Sequence, residues 1–288
     1  MEIILFSNYR IVCVTPAGRK KYLEILLRYV ISNKNIIDSW ELWLNTEIQP
    51  DIEYIDSLER QFPGFISVVR IQTDKVYDSK QIYKGYHVEK IHLFFRHCVD
   101  EKTIYIRLDD DIVFVEKNAI ENLLKCRIEY PDPFLIYGNI VNNAICNFMH
   151  QRFGILSNEY GICGINCMDT VGWLNPKFAL YTHSKFIELY KENKLNRYTI
   201  IDNFNSFERF SINVICWFGK EFAKFGGNVG EDEEQWLTED YPRQVVKYST
   251  ICGNSLFTHF SFYIQRNFLE SIPQLLETYQ KIALKENV

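Results

Sequence analysis

From Arg10 onward, short β-branched apolar runs alternate with segments of helical period, and this alternation leaves few folds open to the chain. Residues 10–15 read as a strand, punctuated by Pro16 and Gly18. Within 19–31, Tyr22, Leu23, Leu26, Leu27 and Val30 fall at i, i+3, i+4 spacing, which predicts an amphipathic helix. Residues 40–45 alternate as a second strand, 51–62 predict a helix stopped by Pro63-Gly64, and 66–71 predict a third strand. A helix over 88–99, a fourth strand over 103–108 and a helix over 118–130, ended by Pro131 and Pro133, complete the first half. Strands joined by helices of about a dozen residues pair in parallel, because a parallel crossover needs that length. The expectation is therefore an α/β fold with a mostly parallel central sheet flanked by helices. Such sheets bind ligands outside the carboxyl ends of their strands, here residues 15–19, Asp74 and its neighbours, and 109–111.

The second half is less regular. It offers a strand over 134–140, a Gly-, Asn- and Cys-rich stretch over 142–175, and helices over 182–192 and 217–225. Gly226-Gly227-Asn228-Val229-Gly230 breaks the chain, 248–263 reads as a strand, and an amphipathic helix closes it within 272–285. No internal repeat, linker or low-complexity tract divides residues 1–288, so one domain is expected.

With 32 Lys+Arg against 37 Asp+Glu, the net charge of −5 argues against binding nucleic acid through a basic face. A phosphate-bearing ligand would have to be held by a few placed cations or by a metal. No apolar run reaches the ~20 residues of a membrane span, and residues 1–6 are too short and wrongly charged for a signal peptide. A cytoplasmic protein is expected, the host cytoplasm if the source is viral. The eight cysteines are scattered, several inside apolar runs, and Cys163 and Cys167 lack the His/Cys doublet of a zinc site, so all read as structural thiols.

The most informative stretch is Tyr105-Ile106-Arg107-Leu108-Asp109-Asp110-Asp111. If the strand stays extended, Arg107, Asp109 and Asp111 share one face and the two carboxylates converge on one cation. Adjacent carboxylates repel by about 4 kcal/mol per pair at 4 Å and an effective dielectric near 20, which a divalent cation relieves. Oxygen ligands suit Mn²⁺ or Mg²⁺. The plainer alternative is a solvated acidic turn or a helix cap.

A second acidic cluster, Gly230-Glu231-Asp232-Glu233-Glu234, follows a Gly-rich approach and opens a helix. One of its carboxylates, Asp232, could take a proton from an acceptor hydroxyl, whereas Glu233 and Glu234 read as partners of the helix dipole. The alternative for Asp232 is the same pairing. His259 lies in an alternating aromatic strand and by pattern alone reads as a core residue. Thr15, Pro16 and Gly18 form a loop whose backbone can approach a nucleotide, and Arg19, Lys84, Lys90 and Arg107 are the cations able to meet a diphosphate. Each could equally be a solvated surface charge. The loop carries neither a Walker pattern nor Gly-x-Gly-x-x-Gly. Trp173 and Trp236 could simply pack in the core.

Taken together, the loop at residues 10–19, the helix with Lys90, the Asp109-Asp110-Asp111 element, Gly230-Glu231-Asp232 and Thr258-His259-Phe260 resemble a GT-A glycosyltransferase over roughly residues 10–265. The likeness is to compact bacterial or large-DNA-virus members. It implies a single Rossmann-like GT-A domain with a nucleotide-sugar-binding half over about 1–115, an acceptor-binding and catalytic half over about 134–265, and a C-terminal helix. It also implies a UDP-sugar donor, a glycan or glycoprotein acceptor, and Mn²⁺ or Mg²⁺. Some viral relatives build capsid glycans, including with xylose, so a pentose is one expectation and a hexose the other. Carried over, Asp109 and Asp110 would contact the nucleotide, Asp109, Asp111 and His259 would serve the metal, and Asp232, or Glu233 because the acidic run 231–234 is longer than the family's Glu-Asp pair, would be the base of an inverting displacement. Trp173 and Trp236 would face the acceptor. A metal-dependent nucleotidyltransferase and a non-catalytic glycan-binding protein are the alternatives.

Overall fold

Apolar pairing of distant segments builds the centre of the protein. The computed structural model describes residues 6, 8–71, 90–201 and 204–286. Its strands are β1 (Arg10–Ala17), β2 (Ser39–Leu44), β3 (Ile66–Val69), β4 (Thr103–Leu108), β5 (Ile112–Val115), β6 (Ile136–Val141), β7 (Asn205–Ser206), β8 (Val214–Phe218) and β9 (Ser249–His259). Among the described residues they join in one nine-stranded sheet in the order β3-β2-β1-β4-β8-β6-β9-β5, with β7 against β9.

The expected parallel sheet holds for β3-β2-β1-β4. Beyond β4 the sheet is mixed: β8 is antiparallel to both β4 and β6, β9 is parallel to β6, and β5 and β7 are antiparallel to β9. The fold is thus mixed α/β, and the parallel pattern stops where the regular strand–helix alternation of the sequence stops. β8 takes up residues expected to start a helix, because Val214-Ile215-Cys216-Trp217-Phe218 is buried throughout while the helix that follows is only Gly219–Ala223. A continuous apolar run of that length suits a strand covered on both faces. β5, also buried throughout, was not anticipated at all.

Helices cover the sheet. Lys20–Ser32 buries Tyr22, Leu23, Ile25, Leu26, Tyr29 and Val30, the stripe that its sequence period predicts. Gln49–Gln61 follows β2, Ala119–Glu129 packs on β9, and Pro273–Glu286 packs on Lys20–Ser32 and β5. The Gly- and Asn-rich stretch contains the helix Ala144–Arg152 and a long turn-rich loop before Pro176–Lys191. Among the described residues no helix is long and apolar enough to cross a membrane.

The ladder between β6 and β9 is interrupted: Gly138 pairs with Cys252, yet the next β6 residue, Asn139, pairs with Leu256. Residues 253–255 form a bulge. Gly253 occupies it because the Ile200 carbonyl oxygen would lie only 1.9 Å from any Cβ placed there.

Trp43 anchors the parallel half. It is fully buried, stacks on Phe94 at 5.3 Å and meets Phe95 edge-on at 5.2 Å. Trp43→Ala should therefore lower the unfolding free energy by about 3–5 kcal/mol in urea titrations. Trp43→Phe should cost less, since the indole Nε1 it removes has no hydrogen-bond partner. Equal losses for the two would mean that ring packing does not anchor this layer.

Candidate functional site

Six strand ends of the described residues gather at one edge of the sheet. β1, β4, β6 and β9 finish there, at Ala17, Leu108, Val141 and His259, while β5 and β8 begin there, at Ile112 and Val214. The acidic triplet lies at their meeting point. β4 does not stay extended through it, because the Asp109 carbonyl accepts the Ile112 N–H at 3.1 Å and closes a tight turn. Side-chain alternation therefore ends at Leu108, and Asp109 and Asp111 take different sets of partners.

Asp110 turns toward the end of β1. Its Oδ2 accepts the Gly18 N–H at 2.9 Å and its Oδ1 accepts Arg19 Nε at 2.8 Å, with Arg19 Nη2 on the same oxygen. Arg19 Nη1 donates to Asp111 Oδ2 at 2.6 Å, so one guanidinium spans both carboxylates. Burial pushes the Asp110 pKa up, and Arg19 offsets this only in part. Burial opposes ionisation of Asp111 too, but Arg19, His259 and Arg266 outweigh it and hold that carboxyl well below the usual range.

His259 reaches the turn from β9. Its Nδ1 donates to the Asn142 carbonyl at 3.1 Å, and its Nε2 faces Asp111 Oδ2 at 3.5 Å. Asn142 presents that carbonyl from a left-handed conformation with φ of 62°. The Phe260 N–H bonds the Asp111 carbonyl at 2.9 Å, fixing β9 to the turn. The donor set for a cation is therefore uneven. Asp111 Oδ1 is buried without a hydrogen-bond partner, and the bond at His259 Nδ1 leaves Nε2 as the ring nitrogen for a metal, so these two residues fit a divalent ion. Asp109 does not: Arg107 Nε and Nη2 both meet its Oδ1 at 2.9 Å, and Asn213 Nδ2 meets its Oδ2 at 3.1 Å. Among the described residues no group of three or more His, Cys, Asp or Glu side chains is gathered so as to hold a metal.

The second acidic cluster divides its roles. Asp232 caps the helical turn Glu233–Gln235, its Oδ1 accepting the Gln235 N–H at 3.0 Å, and it pairs with Arg209 at 3.0 Å. Its side chain is 53% exposed, so this pair is a surface one. Glu234 also pairs with Arg209 at 3.0 Å. Glu233 instead points inward, with Oε1 3.9 Å from Arg107 Nη1, the guanidinium nitrogen that Asp109 does not engage. Burial pushes its pKa up to about 7, with Arg107 opposing and Glu234 and Asp109 adding to the rise.

The other expected residues are less central. Thr15 is buried, and its Oγ1 accepts the Trp40 indole N–H at 2.9 Å, so its side chain serves the sheet. Pro16 is buried within β1. Gly18 has no room for a Cβ, with the Asn45 carbonyl oxygen 2.9 Å from that position. Lys90 is half-buried at the start of the short helix Ile91–Phe94. Trp236 stacks on Tyr241 at 4.7 Å and meets Phe225 edge-on at 4.8 Å, which is core packing. Trp173 is half-buried and edge-on to Tyr263 at 5.6 Å. Asp74 and Lys84 lie outside the described residues.

Sequence reasoning missed Asn142, Arg209, Asn213 and Arg266. Asn213, just before β8, had one available signal: a polar residue at the start of an apolar strand. The other three are recognisable only once the chain is folded. No protein-family model matches this chain, and no curated protein matches it significantly.

The raised pKa of Glu233 has a measurable sign. Its proton is bound more tightly in the folded than in the unfolded chain, so stability should fall as pH rises from about 4.5 to about 7. The full swing is about 3 kcal/mol at 1.36 kcal/mol per pH unit. Urea unfolding of wild type and Glu233→Gln across this range should show the difference between them growing toward neutral pH. Parallel curves would mean that Glu233 ionises like a surface carboxylate.

Proposed function

We propose that the chain is a GT-A-like glycosyltransferase that moves a sugar from a UDP-sugar to a glycan hydroxyl with the help of Mn²⁺ or Mg²⁺. The observation that supports this reading best is the gathering of Gly18, Arg19, the acidic turn, His259 and Glu233 at one edge of the sheet, from segments as distant as the first strand and the last. The parallel half of the sheet places the turn at strand carboxyl ends, where α/β proteins bind ligands.

Asp111 and His259 would hold the cation, which when bound supplies positive charge to the donor diphosphate. The loop through Gly18 brings backbone close to the same place, and Arg19 adds positive charge beside it. Glu233 is the better base than Asp232. A carboxylate with a pKa near 7 accepts a proton efficiently at neutral pH, whereas Asp232 is engaged in capping and in the Arg209 pair. In an inverting displacement the acceptor oxygen bonds to the anomeric carbon as the carbon–phosphate oxygen bond breaks. The acceptor proton passes to Glu233, and Arg107 beside it stabilises the ionised carboxylate that receives it.

Thermal stabilisation by nucleoside diphosphates and UDP- or GDP-sugars, with and without Mn²⁺, tests the donor class. A donor at a hundredfold its Kd should add about 2.7 kcal/mol, and only with metal. Asp111→Ala should abolish that gain. Glu233→Gln should lower turnover by about 10²–10⁴ while donor stabilisation survives, and Asp232→Asn should cost far less. No stabilisation by any nucleotide sugar would sink the proposal, and release of pyrophosphate from a nucleoside triphosphate would point to nucleotidyl transfer instead.

A further inference from the structure

Away from the acidic turn, two cysteines that are distant in sequence meet on the wall of a cavity of about 640 Å³. Cys126 comes from the last turn of the helix Ala119–Glu129 and is half-buried, the one cysteine of the eight that is not buried. Cys252 comes from β9, at the edge of the bulge opposite Gly138. Cys252 Sγ lies 3.5 Å from the carbonyl oxygen of Asn122, one helical turn before Cys126, so it packs against the turn that carries the other cysteine.

The bulge is what brings them together and holds them there. Asn122 Nδ2 donates to the Asn254 carbonyl at 2.7 Å, and Ser255 Oγ donates to the Ala119 carbonyl at 2.7 Å, so the helix is tied to β9 on both sides of the bulge. Cys252 Sγ also lies 3.2 Å from Asn254 Oδ1. The two cysteines thus share one cavity wall on a fixed frame, with Lys125, Glu129 and Thr250 beside them.

We propose that Cys126 and Cys252 are a redox-reactive dithiol site that takes hydroperoxides as oxidant and closes to an intrachain disulfide. Cys126 is the attacking sulfur. It is the half-buried member of the pair and so the one open to an oxidant from the cavity, whereas Cys252 is buried. Burial displaces the thiols of Cys146, Cys163 and Cys167 upward to about 12.

The chemistry balances in two steps. Cys126 sulfur attacks the terminal oxygen of the hydroperoxide, the O–O bond breaks, and the alcohol leaves with the Cys126 proton, giving a sulfenic acid. Cys252 sulfur then attacks that sulfur, the S–O bond breaks, and hydroxide leaves as water with the Cys252 proton. The two thiols lose two electrons in all, and the hydroperoxide becomes alcohol and water.

The test uses the reduced full-length protein and one equivalent of tert-butyl hydroperoxide, followed by alkylation and peptide mapping. The expected first product is a peptide linked through Cys126 and Cys252, with the other six cysteines alkylated only after unfolding. In Cys252→Ser the link should vanish and dimedone should capture the sulfenic acid on Cys126. A second measurement covers the case in which this variant does not fold: phenylarsine oxide, which needs two adjacent thiols, should add once per wild-type chain and protect both cysteines from alkylation. No link, a link to any other cysteine, or no arsenical adduct overturns the proposal.

Discussion

Two carboxylates buried side by side must be compensated, and the Arg19 guanidinium does this for Asp110 and Asp111. Removing one partner of such a buried pair typically costs about 3–5 kcal/mol, because the other charge is left without compensation. The arrangement depends on backbone as much as on charge. Gly18 lets the end of β1 pass against the Asn45 carbonyl, and its own N–H takes up an Asp110 oxygen. The Asp109 N–H bonds the Asn213 carbonyl and the Phe260 N–H bonds the Asp111 carbonyl, each near 2.9 Å. The ends of three strands, β1, β8 and β9, are therefore joined to the acidic turn by bonds that its backbone or its carboxylates accept or donate.

The mixed half of the sheet explains why the site draws on such distant residues. Because β8 enters antiparallel beside β4, its first residues arrive at the end of β4, and Asn213 reaches Asp109 there. Because β9 runs parallel to β6, both finish at the same edge, and the Asn142 carbonyl after β6 meets His259 at the end of β9. A fully parallel sheet would have required a crossover before each of these strands, with all of their carboxyl ends on one side. Antiparallel entry instead mixes strand starts with strand ends, and the turn is surrounded by both.

The first half of the fold was largely legible in the sequence. β4 has the predicted bounds, Thr103–Leu108, and the helices Lys20–Ser32, Gln49–Gln61 and Ala119–Glu129 fall within a residue or two of their predicted ones. Those segments declare themselves by period and by Gly or Pro at their ends. β5 and β8 did not, since a short buried run has no alternation to distinguish it from a helix. At the site, the importance of Asp109–Asp111 was visible as three carboxylates after an apolar strand. Their division of labour was not, because it follows from a turn that one backbone hydrogen bond closes. Glu233 and Asp232 were inseparable by type, and what separates them is that one faces Arg107 and the other Arg209. The placing of Cys126 and Cys252 on one cavity wall was invisible for the same reason: nothing in either segment points to the other.

The bulge in β9 also sets a parity. Side chains along a strand alternate between faces, so an insertion of an odd number of residues exchanges the faces of everything that follows, and an even one does not. Residues 253–255 are three, an odd number, and His259 lies beyond them. The face on which that imidazole emerges toward Asp111 is therefore determined by the length of a short bulge six to four residues earlier, rather than by any residue that touches it. Adding or deleting a single position there would turn the histidine to the opposite side of the sheet with every side chain of the acidic turn unchanged.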